Sequence, residues 1–203
     1  MTTNPAPAQT TDPRTTLLQA VDQVLALVGL VTPADLDRPT PCDEYDVRHL
    51  LGHLLGGLGR VAHVAGGGLL VDVPSMVLDV ADDGWVRACD EAAAGLRAAW
   101  ADDAVLDRVL HPPFGDVPGR GAALAYVSEL TTHAWDLASA VGRRDALDEG
   151  LAVVAADVAR RFIPDAQRGV IPFGPVVPVA DDAAPYDRLV AWVGRDPGWT
   201  PSA

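Results

Sequence analysis

Apolar residues that recur at intervals of three and four constrain the fold of this chain more than any other feature. The run with the strongest period spans Val47–Ala65. Its apolar stripe consists of Val47, Leu50, Leu51, Leu54, Leu55, Leu58 and Val61. This spacing predicts an α-helix that packs one face against other helices. Another face carries Gly52, Gly56 and Gly59. Because a glycine inside a helix costs about 1 kcal/mol relative to alanine, we expect a neighbouring helix or a ligand to lie very close to that face.

The same period predicts further helices on both sides of this run. They span Arg14–Val31, Val77–Trp100, Gly121–Val141 and Asp148–Phe162, followed by a short last helix over Tyr186–Gly194. Asp12 is placed to cap the first helix, and Pro13 suits its first turn. Since the chain has no strong parallel-strand pattern, the predicted fold class is all-α, with a four-helix bundle as its architecture.

Segments without a helical period set the predicted domain organisation. Residues 1–13 are rich in Thr, Pro and Ala and have neither a cationic start nor an apolar core, which indicates a disordered leader rather than a signal peptide. Residues 14–203 are then one domain. Within it, Asp107–Val117 indicates a short extended excursion or hairpin. Ile163–Pro185 holds many Pro and Gly residues, which indicates an irregular C-terminal lid, a binding loop or disorder.

Charge and composition exclude several classes of function. The net charge is −13, so nucleic acids and anionic membranes are unfavourable partners. All 15 basic residues are Arg, which excludes Schiff-base lysine chemistry and a P-loop lysine. There is no run of about twenty apolar residues to span a membrane. Because Cys42 and Cys89 make no disulfide framework, the expected location is the reduced cytoplasm.

Two histidines and one glutamate indicate a metal site. Glu129 and His133 are four residues apart, which stacks their side chains on one face of a helix. His53 lies in another predicted helix, at the edge of its apolar stripe. Two imidazoles and one carboxylate make a site with coordination positions open to water or substrate. The alternative is that Glu129 and His133 are only a weak ion pair on a solvated helix face.

The sequence leaves open the roles of three neighbouring residues. His49 lies one turn before His53 and competes for the same role. Asp136 is either an acceptor that orients the imidazole of His133 or a plain exposed acid. Cys42 is either a small buried residue of the loop, which we favour, or a soft fourth ligand.

Four stretches of sequence resemble one known family. The stretch from Pro39 to His53, PTPCDEYDVRHLLGH, resembles the opening motif of the mycothiol-dependent maleylpyruvate isomerase metal-binding domain group, in the DinB-like (YfiT-like) superfamily. ELTTHAWDLA, from Glu129, is similar to its second motif. FGPVVPV, from Phe173, and LVAWVGRDP, from Leu189, are similar to the tail of a small actinobacterial metal-binding subfamily.

This resemblance implies a DinB-like four-helix bundle that holds a divalent metal, most often zinc, with nickel, iron and manganese as the other options. The implied ligands are His53, Glu129 and His133, and the implied cofactor besides the metal is mycothiol. Relatives are thiol S-transferases or isomerases. Two departures matter: Tyr45 replaces the usual Trp of the first motif, and the chain stops without the extra C-terminal domain of the isomerase, which argues against maleylpyruvate as the substrate.

Three hypotheses for function follow. The first is a metal-dependent enzyme in which a mycothiol-type thiol attacks a small electrophilic substrate, by transfer or isomerisation. The second is a thiol-independent metal hydrolase, with Asp136 or His49 as the base; a non-haem iron oxygenase is a remoter variant. The third is a protein that binds or sequesters a small molecule and whose metal is not catalytic. In each case the partner is a small molecule, and a bundle face offers a surface for a homodimer.

Overall fold

The computed structural model describes residues 12–165, 168 and 173–201. Its helices in these ranges are α1 (Pro13–Val28), α2 (Val47–Ala65), α3 (Trp85–Ala99), α4 (Gly119–Ala140), α5 (Glu149–Phe162) and α6 (Pro185–Trp192). A two-residue antiparallel pair, β1 (Val109–Leu110) and β2 (Val117–Pro118), precedes α4. The all-α fold class is therefore confirmed, and the hairpin is the extended excursion expected between residues 107 and 117.

The start of α1 follows the predicted capping pattern. The Asp12 carboxylate accepts a hydrogen bond from the backbone N–H of Arg14, and Pro13 is the first helical residue. The rest of the predicted leader, residues 1–11, lies outside the described ranges. The helix ends at Val28 with Gly29 as its C-cap, three residues before the expected end.

The four helices α1 to α4 form the bundle. α1 packs against α4 and α3, and α2 packs against α3 and α4, so α1 and α2 lie diagonally across it. The apolar stripe predicted on α2 is buried, with Leu50, Leu51 and Leu58 fully enclosed. One continuous core joins all four helices. We find no helix in the described ranges that is both long and apolar enough to cross a membrane.

The helices α5 and α6 form a second layer outside α4. A separate apolar cluster holds this layer together, and Trp135 of α4 contributes to it beside Ala155 of α5 and Leu189 of α6. Gln23 of α1 links the two layers, because its amide nitrogen donates to the Tyr186 hydroxyl at 2.9 Å and its oxygen accepts from the Asp148 N–H at 2.6 Å. The second layer is therefore fixed to the bundle by buried apolar and polar contacts.

The predicted start of the third helix at Val77 is wrong, since α3 begins at Trp85. Instead, residues 73–80 run as an irregular segment across α2, and the Val77 N–H donates to the Gly52 carbonyl at 3.1 Å. A Cβ atom at Gly52 would lie 2.8 Å from the Val77 carbonyl oxygen, and one at Gly56 would lie 2.6 Å from the Ser75 carbonyl. The glycines of α2 thus accommodate an extended backbone, rather than the helix or ligand that we expected.

The predicted irregular segment at residues 163–185 is only partly described. Residues 173–184 contain neither helix nor strand, and α6 begins at Pro185. Residues 166, 167 and 169–172 lie outside the described ranges. The role of this segment as a lid stays a prediction.

Candidate metal centre

The three predicted ligands come together where α2 meets α4. One ligand atom each of His53, Glu129 and His133 lies within 4.8 Å of the others. The His53 Nε2 atom and the Glu129 Oε1 atom are 3.6 Å apart. The two imidazole rings meet edge to face, with centroids separated by 4.8 Å. The helices therefore bring together the nitrogens and the oxygen that the sequence pattern selected.

Helical spacing explains how α4 presents two of these groups. Glu129 and His133 are one turn apart, so their side chains point in the same direction. The α4 residues between them, Leu130, Thr131 and Thr132, are buried on the other sides of the helix. Glu129 and His133 keep 40% and 13% of their side-chain surface exposed. The pair therefore lies at an opening of the bundle rather than in its dry centre.

Asp136 is fully buried and holds both His133 and Arg195. Its Oδ2 atom lies 3.0 Å from His133 Nδ1. The Arg195 guanidinium donates from Nε to Oδ1 at 3.1 Å and from Nη2 to Oδ2 at 2.9 Å. An Nδ1–H donor on His133 leaves its Nε2 lone pair free to bind a metal. Of the two interpretations of Asp136, the structure supports the orienting acceptor.

Burial and charge act in opposite directions on these groups. Burial lowers the pKa of His133, and the carboxylate of Asp136 only partly opposes this effect. Burial raises the pKa of Glu129, but the neighbouring imidazoles of His53 and His133 outweigh this effect, so the pKa lies below its ordinary value. Burial likewise raises the pKa of Asp136, but its contacts with His133 and Arg195 outweigh this effect, so the pKa lies below its ordinary value. At neutral pH the site therefore offers ionised carboxylates and a neutral His133, which are the forms that bind metals.

The other histidines in the described ranges do not join this group. The His49 Nδ1 atom lies 2.7 Å from Asp46, the N-cap residue of α2. His63 faces Asp72 at 3.4 Å, and His111 faces Asp116 at 2.7 Å. Each of the three has an acidic partner outside the group of predicted ligands, so His49 does not compete with His53.

The loop before α2 brings Cys42 and Tyr45 to the same opening. The Thr40 hydroxyl donates to the Tyr45 carbonyl at 2.7 Å and accepts from the Cys42 N–H at 3.1 Å. The centroid of the Tyr45 ring lies 5.4 Å from that of the His53 ring, so the tyrosine that replaces the expected Trp packs on a predicted ligand. This contact restricts the orientation of the His53 imidazole.

Cys42 is half-buried, and its sulfur lies within 4.8 Å of ligand atoms of His133 and Asp136. Burial raises the pKa of its thiol, while the charge of Arg195 lowers it and that of Asp136 raises it further. The thiol is thus protonated at neutral pH. Because Asp136 is already paired with a cation, this second group is a poorer metal site than the one formed with His53.

A cavity of about 440 Å³ opens directly on the three predicted ligands. Polar groups of its lining come from the loop before α2, from α2 and from α4, and they include Glu44 and Glu129. An apolar part contains Phe114 from the hairpin loop, Phe162 from the end of α5 and Phe173. A volume between about 300 and 1,000 Å³ suits a small organic ligand.

Arg195 and the phenylalanines were not selected from the sequence. Arg195 follows Gly194, whose φ of +88° favours glycine and whose backbone lies against Gly174. A Cβ atom at Gly194 would lie 2.8 Å from the Gly174 Cα atom, so this contact needs glycine on one side and places Phe173 near Arg195. The signal that could have identified Arg195 is the GRDP stretch of the tail motif, but no role was assigned to that stretch from the sequence.

The donor set fits a divalent metal. Zinc–ligand distances of 2.0–2.1 Å in tetrahedral geometry separate ligand atoms by about 3.3 Å. The 3.6 Å between His53 Nε2 and Glu129 Oε1 is close to that value. The orientation of His133 by a buried carboxylate is a common second contact in metal sites. Zinc, iron, nickel and manganese all accept imidazole with carboxylate.

The chain was compared with known proteins. A family model described as the mycothiol maleylpyruvate isomerase N-terminal domain matches residues 17–138. Two uncharacterized proteins of Mycobacterium tuberculosis, from strains CDC 1551 / Oshkosh and H37Rv, are each 32% identical over 185 residues, which cover 91% of this chain and 98% of theirs. The crystal structure of the mycothiol-dependent maleylpyruvate isomerase matches with a TM-score of 0.60 over 77% of this chain and 70% of that one, at 17% identity.

These matches differ in what they establish. At 17% identity the solved structure shows a shared fold alone. The family model covers well over half of the chain and includes His53, Glu129 and His133, whereas Phe162, Phe173 and Arg195 lie beyond it. The chain therefore belongs to the family of the mycothiol maleylpyruvate isomerase N-terminal domain, with a DinB-like bundle as its fold.

Proposed function

We propose that this protein is a metal-dependent enzyme in which a small thiol of the mycothiol type attacks a small electrophilic substrate. The observation that carries the proposal is the convergence of His53, Glu129 and His133 at the mouth of a cavity large enough for a small organic molecule. Family membership supports the thiol, because the matching family is named for a mycothiol-dependent isomerase. Zinc is the first choice of metal on the donor set.

A free thiol has a pKa near 8.5, so it is mostly protonated at neutral pH. A divalent ion held by the three ligands would bind the sulfur and favour its thiolate. The role of the protein's other groups is positional: Asp136 fixes the His133 ring, and Arg195 balances the buried charge of Asp136. Tyr45 packs on His53 and limits its rotation.

The reaction proposed first is transfer of the thiol to an electrophilic carbon. With an aryl chloride, a sulfur–carbon bond forms, the carbon–chlorine bond breaks, chloride leaves and the thiol proton passes to solvent. Isomerisation would begin with the same attack and end with expulsion of the thiol. Transfer and isomerisation therefore need the same binding site, and product analysis separates them.

Hydrolysis without a thiol is the weaker proposal. It needs a general base within reach of the reacting water. His49 is paired with Asp46 and does not line the cavity, and Asp136 is enclosed between His133 and Arg195. Neither of the two bases named from the sequence is therefore free to serve.

The experiment is thiol consumption by zinc-loaded protein with mycothiol and the neutral aryl chloride 1-chloro-2,4-dinitrobenzene. We expect turnover that is lost in His133→Ala and kept in His49→Ala, which removes a histidine from the same region without touching the cavity. The coloured aryl thioether reports the rate. Absence of turnover in the metal-loaded wild type, together with tight binding of a small molecule, would instead favour a sequestering protein.

A further inference from the structure

We infer that the electrophilic substrate carries a neutral apolar group, of the size of one or two aromatic rings, that binds among Phe114, Phe162 and Phe173. The inference rests on the proposed function, because it assigns the substrate class of the same cavity. It excludes a charged group at that position.

The distribution of phenylalanine in the chain is the first observation. The chain contains three phenylalanines, and all three line this cavity. They come from unrelated segments: Phe114 from the loop between β1 and β2, Phe162 from the end of α5, and Phe173 from the segment before α6. Three aromatic side chains from distant positions thus line one cavity, together with the apolar residues Pro113, Val158 and Ile163.

The exposure of these rings is the second observation. Phe114 and Phe162 are 41% and 36% exposed, although burial of a phenylalanine contributes about 1.5–3 kcal/mol to stability. Their centroids are 5.4 Å apart at an interplanar angle of 66°, and Phe114 also contacts Tyr126 edge to face. The rings are therefore ordered against each other yet leave apolar surface at a concave site, which is the arrangement expected of a ligand contact.

Charge is the third observation. Arg195 is the one arginine among the described residues that line the cavity; its Nε and Nη2 atoms donate to Asp136, and its Nη1 atom donates to the Val193 carbonyl. The carboxylate of Glu44 faces the same space, and that of Glu129 belongs to the predicted metal ligands. A carboxylate on the group that binds among the phenylalanines, away from the predicted metal ligands, would therefore lose its hydration without gaining a cationic partner.

The test uses two fluorescent probes with one skeleton, N-phenyl-1-naphthylamine, which is neutral, and 8-anilinonaphthalene-1-sulfonate, which carries a sulfonate. Both are titrated into metal-free protein with no thiol present. We expect the neutral probe to bind at least about ten-fold more tightly than the anionic probe. Phe114→Ala and Phe162→Ala should each weaken binding of the neutral probe about ten-fold, as expected for the loss of one ring contact.

Val153→Ala is the matched control, because it removes an exposed apolar side chain of α5 outside the cavity. It should leave both affinities unchanged. Phe114→Leu, which keeps an apolar side chain, should retain most of the affinity and guards against a folding defect in Phe114→Ala. Equal binding of the two probes, or neutral-probe affinity unaffected by both alanine substitutions, would overturn the inference.

This result is separable from the proposed function. Selective binding of the neutral probe in a protein that never consumes thiol would reject thiol transfer. Thiol transfer accompanied by equal affinity for the two probes would reject the apolar site alone.

Discussion

The bundle of α1 to α4 and the layer of α5 and α6 contribute differently to one cavity. The bundle supplies the three predicted metal ligands from two helices, and these residues fall within the family match. The second layer and its flanking segments supply Phe162, Phe173 and Arg195, all beyond that match. On the proposed function, the bundle would hold the reacting groups, whereas the second layer, together with Phe114 of the hairpin loop, would shape the cavity for one substrate.

The largest expected effect is the loss of metal on removal of a bundle ligand. His133→Ala deletes a nitrogen donor, and we expect its metal affinity to fall by more than about 100-fold, since changes in supporting contacts alone cost 10- to 100-fold. Elemental analysis after dialysis against a weak chelator measures the bound metal, and circular dichroism checks the helical content. His53→Ala should behave in the same way, and His49→Ala should keep the metal of the wild type. Full metal content in His133→Ala would exclude the proposed centre.

The next effect concerns the ion pair that joins the two regions. Asp136→Ala leaves the Arg195 guanidinium without its carboxylate, and the cost of breaking such a buried pair is about 3 kcal/mol. Urea unfolding of the metal-free protein measures this loss separately from any change in metal binding. Asp157→Ala, which removes an exposed acid of α5 near Arg160, should change stability by less than about 0.5 kcal/mol.

A second substitution makes that test sharper. Combining Asp136→Ala with Arg195→Met removes the unpaired charge, so part of the lost stability should return. If Asp136→Ala were as mild as Asp157→Ala, the two layers would not be coupled through this pair.

A smaller change in stability is expected for a substitution in α2, which belongs to the bundle and not to the second layer. Gly56→Ala would place a methyl group 2.6 Å from the Ser75 carbonyl, and this clash should cost about 1–3 kcal/mol as residues 73–78 move away. Gly57→Ala has open space around the new methyl group and should stabilise the protein by about 0.5–1 kcal/mol. Urea unfolding compares the two variants. Similar stabilities would mean that the extended segment does not rest on α2 in solution.

The sequence predicted the parts of the site that depend on spacing within one element. Glu129 and His133 share a face of α4 because four residues make about one turn, and His53 was placed beside the stripe of α2 by the same rule. The sequence also predicted that Asp12 caps α1, because an Asp side chain before a helix can accept a hydrogen bond from a backbone N–H of the first turn. The ligand set as a metal centre remains a prediction, although its geometry agrees with the spacing.

The remaining features depend on contacts between distant segments, which a local pattern does not contain. The start of α3 was placed too early, because the apolar residues at 77 and 80 pack on α2 from an irregular segment and imitate a helical period. The glycines of α2 indicated that another group lies very close to this helix, but they did not indicate which part of the chain it is. Phe114 and Phe173 are 59 residues apart in the sequence, so nothing in their surroundings could place them in one cavity.

The smallest effect compares one chemical change in each region. Tyr126 of α4 and Tyr186 of α6 are both 4% exposed, but their hydroxyls differ: Tyr186 accepts from Gln23 at 2.9 Å, whereas Tyr126 has no hydrogen-bond partner among the described atoms. Tyr186→Phe leaves the buried Gln23 amide unsatisfied and should cost about 1–1.5 kcal/mol, while Tyr126→Phe should be neutral or slightly stabilising. Urea unfolding at matched pH resolves a difference of this size. Equal losses in the two variants would mean that the hydrogen bond between Gln23 and Tyr186 does not fasten the second layer, and the stability of that layer would then depend on its other contacts with the bundle, such as the Asp136–Arg195 pair and the apolar cluster around Trp135.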